Sequence, residues 1–208
     1  MMGTRRTPWP KHVAVAEMPR PRALRDDEDA IITFIGHSTF LIQAADGNVI
    51  TDPIYAERAG PLGIAGPRRV RRPGVALGDL PPISVVLLSH NHYDNCDVKT
   101  LGALARTHSA TFITPLGNAP LLRRAGIRRI EELDWWSTAD YAPIRVTLTP
   151  AQHFSARTPF DRNRALWGGF VVTARDRRIF FAGDTGYTTH FREIRPNLLS
   201  THPAKPPD

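Results

Sequence analysis

Two histidines and an aspartate alternate in Ser89-His90-Asn91-His92-Tyr93-Asp94-Asn95, directly after the apolar run Val85-Val86-Leu87-Leu88. Neutral imidazoles at i and i+2 of a strand end can meet one zinc ion at about 2.0–2.1 Å, and a carboxylate two residues on can reach a second ion. That spacing suits a two-metal hydrolase, in which the ions activate a nucleophile and stabilise the charge developing on the substrate. Two residues of like chemistry follow later strand-like segments: His153, just past 144–149, and Asp184 in Gly183-Asp184-Thr185-Gly186.

The elements that must position these groups can be read from periodicity. Ile83 and Val85 to Leu88, bounded by Pro81-Pro82, read as a buried strand whose C-terminal end carries the cluster, where α/β proteins place their chemistry. Upstream, 31–35, 39–43 and 48–51 look like short strands separated by Gly36-His37 and Asp46-Gly47 turns, which predicts an antiparallel start. Residues 53–82 are rich in Pro, Gly and Arg without periodicity, so a long functional loop is expected. Downstream, 98–107 has helical spacing, 111–114 and 129–133 read as strands, 118–124 as a short helix ending at Gly126, and 170–173 with 178–182 as a hairpin. Residues 1–28, with four prolines, form an arm that is either draped over the domain or disordered. The folded domain is expected over 29–195, and 196–208 read as a Pro-rich disordered tail.

Composition narrows the classes. A chain of 208 residues with 41% hydrophobic content fits one globular domain. The net charge of +7 comes from arginine: Lys11, Lys99 and Lys205 are the only lysines. Arg68-Arg69-Val70-Arg71-Arg72 is the densest cluster and reads as solvated surface rather than a nucleic-acid groove. Cys96 is the single cysteine, which excludes an intrachain disulfide and points to a reducing, cytoplasmic setting. No stretch has the apolar length of a signal peptide core or a transmembrane span.

The blocks Phe34-Ile35-Gly36-His37-Ser38-Thr39-Phe40-Leu41-Ile42, Thr51-Asp52-Pro53-Ile54, Ser89 to Asp94, Leu133-Asp134-Trp135-Trp136, Thr149-Pro150-Ala151-Gln152-His153 and Leu166-Trp167-Gly168-Gly169 occur in one order. Together with Gly183 to Gly186 they resemble the metallo-β-lactamase superfamily, in particular the branch containing N-acylphosphatidylethanolamine-hydrolysing phospholipase D and its bacterial relatives. The resemblance implies an αββα sandwich of two mixed sheets between helices, and hydrolysis of a phosphodiester or phospholipid-like substrate by a metal-bound hydroxide, with peripheral membrane contact compatible with such a substrate. It implies Zn2+ held by His90, His92 and His153, with Asp184 bridging to a second ion and Asp94 orienting the nucleophile and holding that ion.

Two departures from the family follow. The position after Asp94 is Asn95, where the family has a histidine, and a neutral amide oxygen is a poor substitute for imidazole at zinc. The family's last histidine ligand lies well beyond the Gly-Asp-Thr-Gly turn, whereas this chain ends 24 residues after Asp184, with only His190 and His202 in that stretch. Neither is assigned as a ligand. The chain therefore reads as truncated and incomplete at its C-terminal side, with one zinc expected and activity reduced or absent. Two alternatives remain: a hydrolase of the same superfamily acting on a lactone or nucleic acid, and a non-catalytic remnant.

Around the centre, Asp52 is expected to accept a hydrogen bond from a ligand histidine's second nitrogen, with a turn-initiating Asp before Pro as the plainer reading. His37 is either substrate-side or a turn residue. Trp135, Trp136 and Trp167 either wall an acyl cleft or pack as core. Cys96 reads as packing, and Gly168-Gly169 as a place of close backbone approach.

Overall fold

The computed structural model describes residues 10–15, 20–45, 47–141 and 143–196; the expected disordered tail from 197 onward, with His202, lies outside them. In chain order the elements are β1 (Ala30–Gly36), β2 (Thr39–Ala44), β3 (Gly47–Thr51), β4 (Val85–Leu87), α1 (Val98–Thr107), β5 (Thr111–Pro115), α2 (Ala119–Arg124), β6 (Ile130–Leu133), β7 (Thr138–Tyr141), β8 (Ile144–Thr149), β9 (Gly169–Ala174), β10 (Arg177–Phe181) and α3 (His190–Ile194).

Six strands form one sheet in sequence order, β1 to β6. Its first three strands are antiparallel and the rest parallel. The second sheet, β10-β9-β8-β7, is antiparallel throughout, which corrects the expectation of two mixed sheets. The reason is local: β7, β8, β9 and β10 follow one another without a crossover helix, and parallel pairing needs such a connection.

The strand β4 shows why the sequence folds this way. Val85 and Leu87 face a core shared with Val146, Leu148, Phe170 and Val172 of the second sheet. Val86 and Leu88 face a separate core with Leu101 and Leu104 of α1 and Leu122 of α2. A strand buried on both faces must be apolar at every position, and this one is. Asp97 starts α1 by accepting from the Lys99 and Thr100 amides. Its Oδ2 also accepts from the Tyr55 and Ala56 amides and so anchors the long loop at its start.

That loop, 53–82, contains 3-10 turns at Pro61–Gly63 and Leu77–Asp79 and an isolated bridge between Arg58 and Arg68. The described part of the N-terminal arm is draped over the domain: Val13 bridges Arg71, Arg20 pairs with Asp79 at 3.1 Å, and Gln43 Nε2 donates to Arg22 O at 2.9 Å.

Candidate metal centre

Three segments converge above the C-terminal end of β4. His90 and His92 leave β4, and His153 follows β8 by four residues. The loop between 91 and 96 is stapled by Arg157, whose Nη1 donates to Asn91 O at 2.8 Å and Cys96 O at 3.1 Å while its guanidinium lies over the Tyr93 ring at 4.0 Å. Asp184 arrives from β10 through Gly183, at φ +62, where an added Cβ would come within 2.9 Å of Ser89 Cβ. Gly168 is needed for the same kind of approach, because a Cβ there would sit 2.4 Å from Thr149 O, and its amide donates to Ser89 O at 3.0 Å.

His90 Nε2 lies 3.0 Å from His92 Nδ1, and His153 Nε2 lies 3.1 Å from the same atom. The three rings stand nearly perpendicular to one another, at 80° to 84°. Their nearest nitrogens fall within 4.8 Å of each other, the one such group among the described residues. Ligands about 2.05 Å from a tetrahedral ion would be about 3.3 Å apart, so these nitrogens are spaced for a single cation. Burial, reinforced by the neighbouring imidazoles, pushes His90 down to about 3, and burial likewise lowers His92. Both are therefore neutral at physiological pH, the form a metal requires. Asp184 Oδ2 is 3.9 Å from both His90 Nε2 and His153 Nε2, on the open side of the trio.

The carboxylate side differs. Asp94 faces His37, with Oδ2 3.5 Å from His37 Nε2, and both side chains are nearly half exposed. The Asp94 contact raises His37, and His37 lowers Asp94. His37 adopts a left-handed backbone at φ +54. Asn95 is fully buried; its Nδ2 lies 3.0 Å from Ser38 Oγ, 3.0 Å from Asp52 Oδ2 and 3.4 Å from Asp184 Oδ1. Asn95 Oδ1 has no hydrogen-bond partner. His190 turns to Thr185, Thr188 and Phe191 and stands outside the trio.

Asp52 does not meet a ligand histidine directly, contrary to the expectation. Ser89 is interposed: its amide and hydroxyl donate to Asp52 at 2.7 and 2.5 Å, and the hydroxyl oxygen lies 2.8 Å from His90 Nδ1. Sequence reading passed over Ser89, although its place immediately before the first histidine of a strand-end cluster was the available signal. Burial raises the Asp52 carboxyl to about 7 against the pull of these hydrogen bonds.

Other candidate residues have structural roles. Trp167 Nε1 donates to Ala151 O at 2.9 Å and Trp135 Nε1 to Trp167 O at 2.7 Å, bracing the segment that carries His153. Trp136 sits at a β6–β7 turn with φ +68 and does not line the cavity that reaches the centre. Cys96 is buried and its thiol is pushed up to about 12, which suits packing rather than reaction.

That cavity, of about 380 Å3, runs from His37 and Asp94 between the end of β1 and the long loop, with Phe34, Ile54, Pro67 and Val70 as apolar walls. Three arginines of the loop have intramolecular partners. Arg69 donates to Ile54 O and Ala56 O, Arg68 pairs with Glu57, and Arg71 stacks on Phe34.

Comparison with known proteins follows the same lines. A model of the beta-lactamase superfamily domain matches residues 47–201. An uncharacterized protein of Mycobacterium tuberculosis is 38% identical over 177 residues, covering 84% of this chain and 47% of that protein. The N-acyl-phosphatidylethanolamine-hydrolyzing phospholipase D 1 of Caenorhabditis elegans is 33% identical over 177 residues, covering 80% of this chain and 50% of the relative. The chain thus spans about half the length of the curated relatives it matches. Among solved structures, Igni18, a metallo hydrolase from Ignicoccus hospitalis, superposes with a TM-score of 0.59 at 19% identity, covering 79% of this chain and 65% of that one.

Proposed function

The chain belongs to the metallo-β-lactamase superfamily, and from that premise we propose that it is a metal-dependent phosphodiesterase with a phospholipid-like substrate, working on one Zn2+. The observation that carries this reading is the convergence of three imidazoles on one point, with Asp184 on their open side. His90, His92 and His153 would hold the ion, which when bound supplies a water of lowered pKa and a positive charge beside the scissile group.

The chain's own residues do the rest. Asp184, beside the imidazoles, would accept the proton of the attacking water, and Asp94 would orient that water. His37, raised by Asp94, stands where a departing oxygen or a phosphoryl oxygen can receive a hydrogen bond. The apolar cavity beside them takes the hydrocarbon part of an amphiphile. The similarity to phospholipases D supports a phosphodiester over a lactone. The engagement of Arg69 with the Ile54 and Ala56 carbonyls, of Arg71 with Phe34 and of Arg68 with Glu57 argues against nucleic acid.

A second ion finds Asp94 and Asp184 but only an amide at position 95, so turnover is reduced. The free buried Cys96 supports placement in the cytoplasm. No helix among the described residues is long and apolar enough to cross a membrane.

Zinc-loaded full-length chain, assayed on N-acylphosphatidylethanolamine vesicles, on a chromogenic phosphodiester and on a lactone, tests the reading. Slow, chelator-sensitive hydrolysis of the phosphodiesters is the expected result. Lactone hydrolysis alone would overturn it.

A further inference from the structure

The geometry points to Ser89 as a positioning residue that, held by Asp52, fixes His90 in the tautomer able to receive a metal. This inference rests on the metal-centre reading. Asp52 is wholly buried, and its backbone lies at φ +33, an unusual conformation for a residue with a side chain. That conformation is clamped on both sides: the Asp52 amide donates to Leu87 O at 2.8 Å, and Thr39 Oγ1 donates to Asp52 O at 2.7 Å. Backbone strain that the surroundings enforce so completely calls for a purpose. Here it turns the carboxylate under the end of β4, where three donors reach it: the Ser89 amide, the Ser89 hydroxyl and Asn95 Nδ2.

An ionised carboxylate only accepts hydrogen bonds. Above about pH 7, where Asp52 is ionised, the Ser89 hydroxyl must therefore spend its one proton on Asp52. What Ser89 then offers His90 Nδ1, 2.8 Å away, is a lone pair, and His90 must carry its proton on Nδ1. Its Nε2, the atom facing His92 and His153, is left as a bare acceptor. The nitrogen that meets a metal is thus set by the hydrogen bond that the other nitrogen makes. Asp52 extends the same control to the other half of the centre, because Asn95 donates to it while approaching Asp184.

Two variants separate this role from simple packing. Asp52→Asn keeps the shape but turns an NH2 toward Ser89, so the hydroxyl donates to His90 instead and the proton moves to Nε2. Asn95 can accommodate the change by turning its unpartnered Oδ1 to the new amide. Ser89→Ala removes the link without adding volume. Long-range 15N–1H spectra of the metal-free full chain at pH 8 report each histidine's tautomer, and a chelator-competition titration with Zn2+ reports affinity.

The wild type should show His90 as the Nδ1–H form. Asp52→Asn should show it as Nε2–H, Ser89→Ala should give a mixture, and His92 and His153 should be unchanged. Zinc affinity should fall about 10- to 100-fold in both variants, as for other residues that orient metal ligands. An unchanged His90 tautomer in both variants, or zinc affinities within about twofold of wild type, overturns the inference. If the wild type itself binds no zinc, the metal-centre reading fails, and the tautomer spectra alone then decide the role of Ser89.

Discussion

The two halves of the centre are built on different terms. On one side His90, His92 and His153 bring their nitrogens within 4.8 Å of one another, on rings held by the Ser89 contact and by Phe154 packed edge-on against His92. On the other, Asp94 and His37 neutralise each other at a half-exposed surface, and Asn95 is committed inward to Ser38 and Asp52. A site whose ligands already converge loses little on binding; a site whose ligands are paired with one another must first give those partners up. The contrast predicts one strong position and one weak one.

The contrast can be broken most directly by mutating its strong half. His92→Ala, which removes the nitrogen common to both close contacts, should weaken zinc binding more than 100-fold by competition titration, whereas Asp94→Asn should change it by less than about tenfold. Equal losses would abolish the distinction. Zinc per folded chain after exhaustive dialysis should come out near one, and Asn95→His should leave it there, because Asp94 and Asp184 still lack a second imidazole. A value near two in that variant would show that position 95 alone decides occupancy.

Acid sharpens the comparison through opposite signs. His90 and His92 titrate lower in the folded than in the unfolded chain, so the stability they give is complete above about 6.5, the ordinary value, and is lost as pH falls below it, for His90 down to about 3. Asp52, raised to about 7, acts the other way between about 4 and 7, since the folded state holds a proton that the unfolded state releases. Two histidines outweigh one carboxyl, so the thermal midpoint of the metal-free chain should fall between pH 6.5 and 4. His37 is raised, so its contribution is present at low pH and fades as pH climbs past 6.5. The smallest effect belongs to His37→Ala: about 0.2–1 kcal/mol of stability, as for an exposed pair, with zinc affinity unaffected.

Much of the scaffold was legible because it rests on burial patterns. The continuous apolar run before Ser89, the helical spacing from Val98 and the alternation from Ile144 each produced the expected element. Strand β7 was not legible, because Thr138-Ala139-Asp140-Tyr141 buries only Ala139 and owes its form to pairing with β8. In the site, the three histidines announce themselves by type and spacing. The Asp52–Ser89–His90 contacts do not, since they depend on a left-handed backbone 37 residues from Ser89 and on which hydroxyl lone pair is free.

The burial of β4 on both faces also governs time. A three-residue strand hydrogen-bonded to β3 and β5 and shared by both cores cannot open unless one core opens with it. Its amides should then exchange with solvent only through the rarest, largest openings, and the strand end that carries His90 should keep its place through ordinary loop motion.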